Sequence, residues 1–165
     1  MTTTKLFSIT IVSLLIGILV SYGMCQRHYE IDRDIDAVLL RAQVAATAED
    51  MSMYLKLTMD GMDKHDIKCG NLALVFQTPG ADVMMIRKSL SGMIERLEFA
   101  IKMSKSSQEY IATIDDIRGT IREFRGKSFA EAKLWHDFWY LYFVLIIAWT
   151  MFIVFGVWCS VKRFE

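Results

Sequence analysis

The reactive side chains of this sequence crowd into one stretch, MSMYLKLTMDGMDKHDIKC, from Met51 to Cys69. The thioethers of Met59 and Met62, the imidazole of His65 and the thiol of Cys69 form a soft donor set of the kind that selects Cu(I). Met62, His65 and Cys69 are spaced three and then four residues apart, so a continuous helix sets them on one face, with Met59 a turn earlier. These four are the candidate metal ligands, copper is the candidate ion, and no other cofactor is implied. Methionine is equally a flexible apolar filler. Met84, Met85, Met93 and Met103 recur farther on without imidazole or thiol neighbours, so packing competes with metal binding here.

Elsewhere the signals for chemistry are sparse. His28 and His136 each border a long apolar segment, where polar residues are ordinary. Asp115 and Asp116 adjoin in sequence and would point about 100° apart on a helix, so they cannot face each other across a substrate. No GxSxG, HExxH, phosphate loop or CxxC occurs in the sequence. The expectation is a protein that is not an enzyme.

Two apolar segments determine how the rest is displayed. Phe138 to Val161 reads FWYLYFVLIIAWTMFIVFGVWCSV, uncharged and followed by Lys162 and Arg163. At about 1.5 Å per residue these roughly 24 residues exceed a hydrocarbon core about 30 Å thick, so the segment reads as a transmembrane helix. Near the start, Lys5 precedes the apolar run Leu6 to Val20. It reads either as a signal-peptide h-region cut after Gly23 or Cys25, or as an uncut signal anchor spanning to Met24. Long connecting segments are translocated largely regardless of charge. Residues 26–137 are therefore expected outside the cytoplasm, in a periplasm, an organelle lumen or the cell exterior, and residues 162–165 within it. Ser13, Gly17 and Ser21 recur every four residues, as do Ala148, Gly156 and Ser160 around Phe152. Such stripes of small residues let membrane helices pack closely.

The fold class implied is all-α. Gly is scarce and there is a single Pro among 165 residues, which disfavours a sandwich or a disordered linker. From Ile31 to about Asp66, Ile31, Ile35, Val38, Leu39, Ala42, Ala45, Ala46, Met53 and Leu57 keep helical spacing, and the alanines among them invite close approach by another helix. Cys69, Gly70 and Asn71 then break the pattern. Thr78 reads as an N-cap with Pro79 at the first helical position. A second stripe follows through Val83, Ile86, Leu90, Met93, Leu97 and Ala100, and resumes at Ile111, Ile114, Ile121 and Phe124 after a polar interval from Ser104 to Gln108. Glu98 is placed to pair with Lys102 on the exposed side. Ser128 with Glu131 forms a capping box for a helix running unbroken into the membrane.

Together these features describe a long antiparallel, coiled-coil-like hairpin carried by a C-terminal transmembrane helix, with Cys69 to Gly80 at its far tip. Of the run Leu72 to Phe76, folding back over the hairpin end is the favoured reading. A lone helix pair buries only one narrow seam, so a homodimeric four-helix bundle or a docked partner subunit is expected. With 19 basic and 19 acidic residues, no basic surplus draws nucleic acid. One outer cysteine, Cys69, cannot build an internal disulfide framework.

The function that fits is an extracytoplasmic, membrane-anchored helical protein working through protein–protein contacts as an accessory or structural subunit of a membrane complex. One alternative is a sensor-like ectodomain signalling through a partner, since the arrangement looks like the outer helical domain of bacterial chemoreceptors in layout, without a shared motif. The other is a copper-handling accessory protein.

Overall fold

The computed structural model describes residues 3–73, 79–125 and 129–161. Among these, regular structure is helix alone, beside one isolated bridge between Asn71 and Asp82. In order come α1 (Thr3–Ile31), a π turn (Asp32–Asp36), α2 (Ala37–Val44), α3 (Ala48–Lys64), a 3-10 turn (Pro79–Ala81), α4 (Val83–Ala100), α5 (Gln108–Arg125) and α6 (Phe129–Val161). Contacts divide the chain into two units, one of Met1–Arg27 with Leu134–Glu165 and one of His28–Lys133.

The unit His28–Lys133 is a four-helix bundle built from one chain, not the two-armed hairpin expected from the apolar stripes. What reads as a single ascending arm is cut at Ala45–Thr47, where Thr47 turns to extended backbone and caps α3. Its hydroxyl accepts the Asp50 N–H at 3.1 Å and donates to the Asp50 carboxylate at 2.9 Å, a reciprocal cap that stops one helix and starts the next. The polar interval around Ser104 is likewise a reversal. Antiparallel packing of α3 on α4 is marked by Arg87 on Asp63 at 2.8 Å and Lys56 on Glu98 at 2.7 Å. Glu98 thus pairs across the bundle rather than with Lys102. Arg96 on Asp116, at 2.7 Å, joins α4 to α5.

The ring closes where α5 meets the α2–α3 turn. The Tyr110 hydroxyl accepts the buried Ala48 N–H at 3.0 Å, and Arg118 donates to the Ala45 carbonyl at 2.7 Å. Both backbone groups sit at helix ends, where no partner exists within the helix. The second helix pair that the sequence assigned to another molecule is therefore supplied in cis.

Each break also resets the inward register. On α3 the large apolar residues Met51, Leu55 and Met62 are buried, while Met53 and Leu57 are about half exposed, at 47% and 45%. On α5 Tyr110, Ile114, Ile117, Ile121 and Phe124 point inward and Ile111 does not. The α4 stripe from Val83 to Ala100 is buried along its length as its spacing requires. Pro79 opens the 3-10 turn instead of α4, whose N-cap is Asp82, accepting from Met84 N at 2.7 Å. Thr78 and Ser128, the caps read from sequence, lie outside the described residues. Leu72 is buried in the core, and Leu74 to Phe76 also lie outside the described residues.

The segment from His65 to Ala73 shares its end of the bundle with the points where the chain enters at His28 and leaves at Lys133. Lys64 reaches Asp34 at 2.6 Å and Lys133 donates to the Asp66 carbonyl at 3.3 Å. Cys69 is therefore not at a far tip of this unit. The tight reversals at Ala45–Thr47 and Ile101–Ser107 form the opposite end, tied by Lys105 on Glu49 at 3.3 Å.

In the other unit, two helical stretches, Ile11–Val44 and Asp137–Val154, hold windows long and apolar enough to cross a membrane; the first continues beyond this unit into α2. The expected unbroken entry of α6 is interrupted at Phe138, whose φ of −129° and ψ of 22° are not helical. No proline, glycine or serine adjoins it, so no sequence signal announces the break.

Glycines give a direct test of the bundle. A Cβ at Gly61 would run into the Asp34 carbonyl oxygen and lie 3.1 Å from its carbon, whereas at Gly92 and Gly119 it would meet nothing within 4 Å. Gly61→Ala is expected to destabilise the protein by about 1–3 kcal/mol through overpacking. Gly92→Ala and Gly119→Ala each should stabilise it by up to about 1 kcal/mol through helix propensity. Denaturation of the three variants, followed by far-UV circular dichroism in detergent, checks the opposed signs.

Candidate functional site

The π turn DRDID is where the bundle gathers its charge. A π turn widens the backbone by one residue and recurs at functional positions. Here the Ala37 N–H bonds the Asp32 carbonyl five residues back, and both Ile31 and Ile35 stay fully buried on the core side. Asp34 and Asp36 are thereby displayed toward the ends of two other helices.

Asp34 receives the C-terminus of α3. Its carboxylate, 16% exposed, accepts from Arg33 Nε at 2.8 Å, Lys64 Nζ at 2.6 Å and His65 Nε2 at 3.0 Å. The Arg33 guanidinium also lies over the Tyr29 ring, 6.0 Å from its centroid. Cationic donors at a helix C-terminus complement its dipole. The hydrogen bond from Arg33 and then that from Lys64 hold the Asp34 carboxyl well below the usual range, so it is ionised at any ordinary pH.

Asp36 is driven the other way. Burial pushes its carboxyl up to about 7, helped by the negative charges of Asp32 and Glu131 and opposed by hydrogen bonds from the Phe129 and Ala130 amides. Those amides belong to the first turn of α6, whose unpaired N–H groups favour an acceptor there. Asp36 therefore caps α6 from across the bundle. Two carboxylates in one turn, with environments that drive their proton affinities apart, are a recognised mark of a protonation site.

The residues singled out by composition are placed differently. Met59 is partly buried against the core, Met62 is fully buried within it, and Cys69 is an exposed thiol. His65 is 2% exposed, its Nε2 is committed to Asp34, and its Nδ1 is buried without a protein partner. The continuous helical face that would align Met62, His65 and Cys69 ends at Lys64, and Asp66 takes a positive φ of 55°. Among the described residues, no group of three or more His, Cys, Asp or Glu could hold a metal ion.

Of the small-residue stripes, Gly17 is buried, and a Cβ there would sit 3.7 Å from the Ala148 Cβ. Ser21 returns its hydroxyl to the Gly17 carbonyl at 2.7 Å, and Ser13 is half-buried. The surroundings of Gly156 and Ser160 lie outside the described residues. The π-turn aspartates were the functional candidates that periodicity passed over. Their only sequence signal is three acids at alternate positions in a helix whose apolar stripe runs straight through them.

The two aspartates predict opposite behaviour. Asp36 is protonated more readily folded than unfolded, so its contribution to stability is complete below about pH 4 and is lost as the pH rises through about 7. Asp36→Asn, which keeps an oxygen acceptor for the α6 amides, should flatten that part of a stability-against-pH profile. Asp34→Ala should cost about 1–3 kcal/mol by leaving the buried His65 nitrogen without its partner. Denaturation midpoints of both variants between pH 4 and 8 measure these effects.

No protein-family model, no curated protein and no solved structure matches this chain.

Proposed function

We propose that this is a membrane-anchored helical protein whose segment 26–137, which includes the bundle, lies outside the cytoplasm and works by contact with a membrane protein complex. Two helices with apolar windows long enough to cross a bilayer support the anchoring. Retention of the first as a signal anchor agrees with the buried Gly17 beside Ala148, since small residues let membrane helices approach. The role is structural rather than catalytic.

The observation that carries the interaction reading is the apolar surface left over once the bundle has closed. Val44 is 72% exposed, Met84 64%, Met85 58% and Phe99 64%, beside the half-exposed Met53 and Leu57. A bundle that fills its own core has no internal use for these side chains, and where they adjoin one another they offer apolar surface to a partner. A homodimer is no longer needed to complete the core, which turns the expectation toward a different partner.

A second reading, a sensor, is favoured by Asp36. A carboxyl that titrates near neutrality at the first turn of α6 links proton uptake to the helix that carries the second apolar window.

Purification of the tagged full chain in mild detergent should bring down a membrane complex. Met53→Asp with Leu57→Asp should release that complex while the helical circular dichroism is kept. A homogeneous, partner-free protein from native membranes would sink the subunit reading. A partner whose association follows pH in the wild type but not in Asp36→Asn would favour the sensor.

A further inference from the structure

We propose that the groove between α1 and α6 holds one acyl chain of an anionic phospholipid, with the lipid phosphate on Arg27. The site rests on the reading of these helices as membrane-spanning. Val20, Gly23, Met24 and Arg27 form one wall and Leu134, Phe138 and Leu141 the other, around a cavity of about 250 Å³. That is below the roughly 300–1,000 Å³ of pockets for drug-sized ligands, so the occupant is slim.

Its chemistry follows from the lining. Six of the seven residues are apolar or glycine, and the single cation stands at one end. A fitting molecule has a hydrocarbon chain and an anionic head. The arginine stem can lie along the apolar wall while its planar fork takes two phosphate oxygens. The level is also right for a headgroup. Tyr22, Trp135, Trp139 and Tyr140, each next in sequence to a lining residue, are exposed at 69%, 41%, 53% and 49%, and such rings collect where hydrocarbon meets headgroups.

Two local features make the hollow. Gly23 contributes no side chain, and a Cβ there would meet nothing within 4 Å. Phe138 departs from helical backbone on the opposite wall. An apolar hollow is a poor place for water, and its lining forgoes dispersion contacts that a lipid chain restores.

The test uses the full chain in mild detergent, incubated with phosphatidylglycerol or phosphatidylcholine and examined by native mass spectrometry. The wild type should retain about one phosphatidylglycerol per chain. Gly23→Leu, which fills the groove, should lower retention by about tenfold or more, and Val20→Trp should do the same from a second position if the first variant folds poorly. Arg27→Gln should keep a lipid and lose the preference for phosphatidylglycerol. Equal retention in the wild type and both filled variants, or none in a wild type that resists alkaline carbonate extraction, overturns the lipid site alone. Release of the wild type by carbonate overturns the membrane-spanning reading, and the site with it.

Discussion

Everything in the bundle's charged end depends on how closely α3 can approach the backbone of the π turn. Gly61 faces the Asp34 carbonyl with no room for a Cβ. A glycine inside a helix costs about 1 kcal/mol relative to alanine, and what it permits here is contact between main chains. That contact delivers Lys64, the last residue of α3, and His65, its C-cap, to the Asp34 carboxylate. Without it the α3 terminus would stand off, the imidazole would be buried without a partner, and the segment that follows would start from elsewhere.

The π turn in turn works as a junction. Within three residues it presents an ionised carboxylate to one helix end and a proton-holding carboxyl to another. The difference lies in the company each keeps. Asp34 has an arginine, a lysine and an imidazole as hydrogen-bond partners, whereas Asp36 has two backbone amides and two like charges nearby. An α-helical turn at this position would carry the same residues with different bearings, because the extra backbone residue decides which helix end each aspartate reaches.

The all-helical class and the two apolar helices were legible in composition and hydropathy, because the length of an uncharged run and the scarcity of Gly and Pro can be read without knowing the fold. The α4 stripe was legible for the same reason. The bundle topology was not. Ala45 and Ala46 continue an apolar rhythm by type while the backbone turns there, and the deciding feature is the Thr47–Asp50 cap, a short polar signal that the stronger periodicity masks. Once that turn is missed, Met53 and Leu57 fall on the wrong face. The π turn was invisible to a 3.6-residue period by construction. The Met–His–Cys spacing misled because it assumed a helix continuing past Lys64, while the chain ends that helix by placing Asp66 in the left-handed region.

The order of the helices around the ring has a consequence for how the chain reaches its fold. Three of the four seams join helices adjacent in sequence, α2 with α3 and α4 with α5 across short turns and α3 with α4 across the longer connection between Lys64 and Val83. The fourth, α2 with α5, is fastened at the α2–α3 turn by Ala48 with Tyr110 and Ala45 with Arg118, pairs separated by 62 and 73 residues. Contacts so far apart carry the largest loop-closure entropy and form late unless local structure brings them together. Successive hairpins do bring them together, so assembly is a matter of zipping along the chain until one tyrosine and one arginine fasten the last helix to the first turn.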